Sequence, residues 1–411
     1  MEFLKAQLPN GLEIVAEFDP NAHSAGYGFF VQTGSRDETD DISGVSHFLE
    51  HMVFKGTPHR SADDVNREFD EMGAHYNAFT SEENTVYHAA VLPEYQEPCV
   101  ALLADIMRPS LRQADFDTEK KVIIEEIKMY SDEPPFGADD RLKAAFFGSH
   151  PMARSILGTE ESIIALTAEQ MLEYFRRRYS PGNILLAAAG RIDFDALVKQ
   201  ATDLCGAWDA VEAPRERPEV DAAEAFLVEQ RDSAAQEYIM QLMSGPAAND
   251  ADRFAAKILA TVLGDDSGSR LYWELVDNGL AEHASLSHYD YDHAGVYMTS
   301  LGCEPERAAE NLATLVAVLR DAEENGITQE ELTQAQSKIN SRIVLSSERP
   351  KNRLFNVGGN WLQRREYRSV RHDLDTVSAV SLDDIHAVMA KYPLTRGSTL
   401  AIGPLATLAQ P

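Results

Sequence analysis

The sequence predicts an α+β protein built as two homologous domains, each a mainly antiparallel sheet covered by helices. Three observations carry that expectation. Short β-rich runs punctuated by Gly, Pro and Asn alternate with capped, amphipathic stretches of helical period. A length of 411 residues exceeds what one ordinary core serves. The second half also repeats landmarks of the first. Gln113-Ala114-Asp115-Phe116 and Ser131-Asp132-Glu133-Pro134 return as Gln329-Glu330-Glu331-Leu332 and Ser347-Glu348-Arg349-Pro350, at a constant offset of 216 (329 − 113 and 350 − 134). Ala165-Leu166-Thr167 before Tyr179 likewise returns as Ala379-Val380-Ser381 before Tyr392. Residues 1–210 are therefore assigned to a first domain, 211–221 (two prolines, many charges, no periodicity) to a linker, and 222–411 to a second. Strands interleaved with helices in each copy point to a sheet covered by helices on one face.

In order, Leu8-Pro9-Asn10-Gly11-Leu12 reads as a hairpin turn, with a strand over Glu13–Phe18. A second strand spans Gly26–Thr33, and a loop from Gly34 leads to an apolar helix ended by Lys55-Gly56-Thr57-Pro58. Ser61 caps a helix reaching Met72, with Asp63 and Asp64 in its first turn. Strands follow over 73–80 and 85–92, then helices over 97–107 and 115–130. Thr167 with Gln170 forms a capping box for a helix to Tyr179, followed by a strand over 183–190 and a helix over 194–205.

The helix after Gly34 carries chemistry. His47, Glu50 and His51 project from one face, because residues three and four apart are neighbours on a helix. Two imidazoles suit a divalent metal such as zinc, bound at about 2.0–2.1 Å, and a carboxylate beside them can take a proton from water. The order H-x-x-E-H inverts the zincin H-E-x-x-H. A catalytic zinc site needs a third protein ligand. The helix over 115–130 offers Glu119, Glu125 and Glu126; Glu119 and Glu126, seven apart, share a face beside Val122, Ile123 and Ile127. In the second copy Arg342 replaces Glu126, Ala335 replaces Glu119, and H-x-x-E-H is absent, so the architecture was repeated and the metal chemistry was not.

Composition narrows the function classes. A net charge of −30, acidic in both halves, argues against nucleic acid, whose phosphates demand basic surfaces. Cys99, Cys205 and Cys303 show neither disulfide nor Cys-metal spacing. No basic, apolar leader opens the chain and no run has transmembrane length, so a cytoplasmic protein without membrane association is expected.

The stretch Gly44-Val45-Ser46-His47-Phe48-Leu49-Glu50-His51-Met52-Val53-Phe54-Lys55-Gly56-Thr57, with Glu119 and Glu126 downstream and Asn77-Ala78-Phe79-Thr80 between, resembles the pitrilysin/insulinase-like zinc metallopeptidases, or inverzincins. It is closest to their mitochondrial processing peptidase-like bacterial branch. The resemblance implies two domains enclosing a chamber, one Zn2+ per chain on His47, His51 and Glu126, and Glu50 as general base. It implies that Glu119 orients a ligand, and that Asn77, Ala78 and Thr80 bind an extended peptide as an added strand. The implied activity is zinc-dependent endoproteolysis of peptides or unfolded segments; the alternative is a non-catalytic assembly subunit of a processing-peptidase-like complex.

One departure stands out. The family carries an Arg before, and a Tyr within, a G-L-A-Y phrase; here Val276 and Glu282 stand at those places in Val276-Asp277-Asn278-Gly279-Leu280-Ala281-Glu282. A dimer is therefore expected, either with a paralogue that keeps the Arg and Tyr but lacks H-x-x-E-H or, as the competing outcome, as a homodimer with weak activity.

Overall fold

The computed structural model describes residues 1–132 and 134–411. In chain order the first half holds strands β1 (Glu2–Gln7), β2 (Glu13–Phe18) and β3 (Ala25–Val31), then helices α1 (Val45–Val53) and α2 (Ala62–Glu71). Strands β4 (His75–Thr80) and β5 (Thr85–Val91) precede helices α3 (Gln96–Ile106), α4 (Gln113–Asp132), α5 (Ala138–Phe147), α6 (Glu160–Ala165) and α7 (Ala168–Arg178). Strand β6 (Ile184–Gly190) and helix α8 (Phe194–Cys205) close this half. The second half holds β7 (Phe226–Gln230), β8 (Glu237–Ser244), α9 (Arg253–Gly264), β9 (His283–Tyr291) and β10 (Ala294–Cys303). It continues with α10 (Ala308–Asn325), α11 (Gln329–Ser347), α12 (Pro350–Arg364), α13 (Val370–Ala379), α14 (Leu382–Lys391) and β11 (Gly397–Gly403). The two long helices of the repeat, α4 and α11, start 216 residues apart (329 − 113). Glu133, within the repeated Ser-Asp-Glu-Pro landmark, lies outside the described residues.

Two compact units result, interleaved in sequence. One comprises residues 1–127, 154–216 and 344–370; the other comprises 128–153, 217–343 and 371–411. Of the five divisions, two fall inside α4 and α11, one at 216/217 within the irregular stretch read as a linker, and the others at 153/154 and 370/371.

The first unit has a six-stranded sheet in the order β1-β2-β6-β3-β5-β4. All its pairs are antiparallel except β2–β6, and the strand order leaves β1 and β4 as its edges. Strands β3 and β6 are buried at every residue, which requires cover on both faces. On one face Tyr27, Phe29 and Leu186 join a core with Phe48, Leu49 and Leu103 from α1 and α3. On the other, Phe30, Leu185 and Ala187 pack against Leu354, Val357 and Leu362 of α12. Arg353 anchors that helix to β2: its guanidinium meets the carboxylate of Glu17 at 2.5 and 2.7 Å, both side chains being buried.

The second unit has the sheet β7-β11-β8-β10-β9, antiparallel except for β7–β11. Ile239, Tyr297 and Ala401 face a core with α9, α10 and α14, while Met240, Leu242 and Leu400 pack on Leu142 and Phe146 of α5. The one-face expectation is thus corrected. Each sheet carries a helix on its second face, and that helix comes from the opposite half of the chain. The reason is long-range: α5 and α12 each follow a long repeated helix, yet each covers a sheet whose strands lie far away in the sequence, where no local pattern marks the pairing. Among the described residues, no helix is long and apolar enough to cross a membrane.

Candidate active site

Helix α1 begins at Gly44, whose φ of +90° and whose approach to Leu157 exclude a side chain: a Cβ there would lie 2.5 Å from the Leu157 carbonyl oxygen. The buried carboxylate of Glu38 holds the helix start, accepting hydrogen bonds from the Gly44 and Ser46 backbone N–H groups at 2.7 and 2.8 Å. Burial pushes that carboxyl up to about 7 despite those two donors. Val45, Phe48, Leu49 and Met52 turn into the core, which leaves His47, Glu50 and His51 on the remaining face. The helix ends in a turn where Gly56 has φ +108° and a Cβ would meet the Arg60 carbonyl oxygen at 2.7 Å.

Helix α4 is set against α1 by Phe116, stacked on Phe48 with ring centroids 4.7 Å apart. Ile123 is fully buried and Ile127 packs on the same core, whereas Val122 is 47% exposed, contrary to the apolar face expected of it. This orientation points Glu119 and Glu126 at α1 and leaves Glu125 exposed. His47 Nε2 lies 3.8 Å from Glu126 Oε1, and His51 Nε2 lies 3.8 Å from Glu126 Oε2. Glu119, 4% exposed, accepts a hydrogen bond from His51 Nδ1 at 2.9 Å and an ion pair from Lys55 Nζ at 2.7 Å. With its proton on Nδ1, His51 presents the Nε2 lone pair to the space in front of Glu126.

These donors fit a zinc ion. One nitrogen each from His47 and His51 and one oxygen from Glu126 lie within 4.8 Å of one another. Ligands about 2.0–2.1 Å from a tetrahedral zinc stand roughly 3.4 Å apart, so the 3.8 Å contacts need close by only a few tenths of an ångström. Burial, with the charge of His51, pushes His47 down to about 3, keeping the imidazole neutral as a ligand must be. Burial likewise raises the Glu126 carboxyl, with Glu119 adding to the effect.

Glu50 stands beside this group and outside the converging donors. Burial raises its carboxyl, opposed by the Thr80 hydroxyl, which donates to Glu50 Oε2 at 2.6 Å. Thr80 ends β4, whose residues alternate between exposed and half-buried. Thus His47, Glu50, His51, Thr80, Glu119 and Glu126 are brought together. Ala78 packs towards the core, and Asn77 is exposed, its Oδ1 accepting from the Ala78 N–H at 2.9 Å; among the described residues no side-chain hydrogen bond or ion pair joins either to the cluster.

A family model described as Insulinase (Peptidase family M16) matches residues 13–160, and one described as Peptidase M16 inactive domain matches 165–339. An uncharacterized zinc protease of Mycobacterium tuberculosis is 33% identical over 407 residues, covering 97% of this chain and 93% of that protein. The chain belongs to the M16 peptidase family. A second uncharacterized zinc protease, from Bacillus subtilis, is 30% identical over 397 residues, 96% of each chain. The fold matches the crystal structure of a protease from Helicobacter pylori at a TM-score of 0.92 and 22% identity, over 98% of this chain and 99% of that one.

The second unit of this M16 chain carries ion pairs at the equivalent of the cluster. Arg342, the counterpart of Glu126, contacts both carboxylate oxygens of Asp265 at 2.6 and 2.8 Å, and Lys338 reaches the same carboxylate at 2.9 Å. Arg270 is held by Glu331, Asp321 and the Gly326 carbonyl. Reading the sequence missed Glu38 and Lys55. Lys55 stands four residues after His51, but that spacing alone does not reveal its pairing with Glu119; Glu38 gave no signal, since a loop carboxylate is an ordinary sight. Because Glu119 fixes the His51 tautomer, Glu119→Gln should weaken zinc binding about 10–100-fold in chelator competition. Unchanged affinity would make Glu119 a mere ion-pair partner of Lys55.

Proposed function

We propose that this protein is a zinc-dependent metalloendopeptidase that hydrolyses peptide bonds in peptides or unfolded segments. The observation that carries the reading is the convergence of His47, His51 and Glu126 with Glu50 alongside. A zinc ion held by those three residues would polarise the scissile carbonyl and make a water more acidic. Glu50 would take the proton from the attacking water and pass it to the leaving amine; its raised carboxyl suits a proton that must be accepted and released. Thr80 orients Glu50 and stands at the end of the edge strand β4. An extended segment adding to that edge, past Asn77, Ala78 and Thr80, would deliver its backbone to the base.

The second reading, a non-catalytic assembly subunit, draws on the second unit, where ion pairs replace the donors. The complete set in the first unit favours catalysis. We further propose a dimer in which a paralogue supplies the Arg and Tyr. Arg270 supports this, since Glu331 and Asp321 already occupy its guanidinium. One experiment addresses these points: mass spectrometry of unstructured peptides incubated with the protein, with and without chelator, alone and with the paralogue added. Chelator-sensitive internal cleavage is expected, faster with the paralogue. No cleavage in any arm would favour the assembly role, and full activity of the lone chain would remove the need for a second subunit.

A further inference from the structure

Building on the proposal that an extended segment adds to β4, the two faces of that segment would meet different surroundings. Tyr76 and Thr80 turn towards the core and Glu50, Tyr76 stacking on Phe69 at 4.1 Å. His75, Asn77 and Phe79 are exposed on the opposite face, where α12 lies. There Phe355 sits 5.9 Å from Phe79 and 4.9 Å from the ring of His88, ring centroid to centroid. One helical turn earlier, Lys351 Nζ lies 3.5 Å from His75 Nδ1. Residues two apart on a strand share a face, so a neighbouring strand would place one side chain beside Phe79 and Phe355. Another, four residues along and about 13 Å away, would fall beside His75 and Lys351.

We infer that Lys351, steadied by His75, forms a carboxylate-binding subsite at the far end of β4, selecting segments with an acidic group four residues from the one beside Phe79. Lys351 is half-buried as a residue but holds its ammonium at an exposed contact, where it has no ion-pair partner among the described residues, in a chain with 67 acidic and 37 basic side chains. His75 accepts one of its three N–H donors, which leaves two for an incoming oxygen. The nearby Glu17 carboxylate is already held by Arg353 and by the Tyr367 hydroxyl at 2.7 Å. Beside Lys351 opens a cavity of roughly 610 Å³, bordered by Ala90, which pairs with His75 across β4–β5. Arg349 and His23 line it, as do Asp19 and Glu348, neither of which pairs with Lys351. Backbone pairing to β4 would be blind to sequence, so a point charge at a fixed register supplies discrimination that the strand edge lacks.

The test uses end-blocked, unstructured peptides in which a single Glu, or a single Lys, is walked along a neutral sequence. Binding to the full-length Glu50→Gln protein is read by fluorescence anisotropy, and cleavage by wild type is read by mass spectrometry. At one register Glu should bind about fivefold tighter than Lys, the size of a partly exposed charge pair. Lys351→Glu should invert that preference, and Lys351→Met, which keeps the stem, should erase it. A parallel series with free C-termini decides whether a terminal carboxylate serves as well as a side chain. Equal binding of Glu and Lys at every register, or a preference untouched by both variants, would overturn the subsite. Charge-selective binding without cleavage would overturn the peptidase reading and leave the subsite standing. Cleavage without charge selection would do the reverse.

Discussion

Glu50→Gln should retain zinc and lose peptide hydrolysis by about 10²–10⁴-fold, the span expected for removing a positioned general base. The substitution keeps size and shape, and its amide oxygen can still accept the Thr80 hydroxyl that now reaches Glu50 Oε2 at 2.6 Å. What it loses is the capacity to take a proton from water. At about 1.4 kcal/mol per decade, the expected loss is roughly 3–5 kcal/mol of transition-state stabilisation. The metal should stay because the converging donor atoms belong to His47, His51 and Glu126. Removing the negative charge of Glu50 also relieves its repulsion of Glu126, so the folded protein should be no less stable. Metal analysis and a peptide-cleavage time course check the two halves separately. Cleavage near the wild-type rate would reduce Glu50 to a partner of Thr80.

The parts legible in the sequence share a physical reason: each rested on a local rule. The Ser61 and Thr167 caps are found as read, and Ser381, read only as a landmark of the repeat, caps its helix in the same way, each side chain accepting from the backbone N–H three residues on. The face shared by Glu119 and Glu126 follows from helical period alone. What stayed hidden depends on pairing distant segments. The cover that α12 gives β3 joins residues more than 300 apart, as Phe30 against Leu354 illustrates, and no local pattern marks it. Lys55 escaped for a subtler reason. Its role depends on Glu119 standing between it and His51, a bridge created only when Phe116 docks on Phe48. The exposed Val122 is the converse case, where an apolar side chain invited a core assignment that the packing of Ile123 had already filled.

Removing one donor from the metal group should be the most damaging change of all to metal content. Wild-type protein is expected to hold about one zinc per chain, and His51→Ala or Glu126→Gln to hold none after dialysis. Two residual ligands leave the ion half in water, so affinity should fall by more than the 10–100-fold expected of an outer partner such as Glu119. That ordering separates a ligand from a residue that merely orients one. The two variants also differ in a useful way. His51→Ala opens a gap and leaves the buried Glu119 carboxylate with Lys55 as its remaining partner, so some loss of stability accompanies the loss of zinc. Glu126→Gln instead removes a charge that raises the Glu50 carboxyl and is itself disfavoured by Glu119. Its zinc-free form should therefore melt no lower than zinc-free wild type. Loss of metal from a protein that stays folded would then be a statement about coordination. Stoichiometric zinc in Glu126→Gln would take that residue out of the ligand set, and with it the geometry on which the peptidase reading stands.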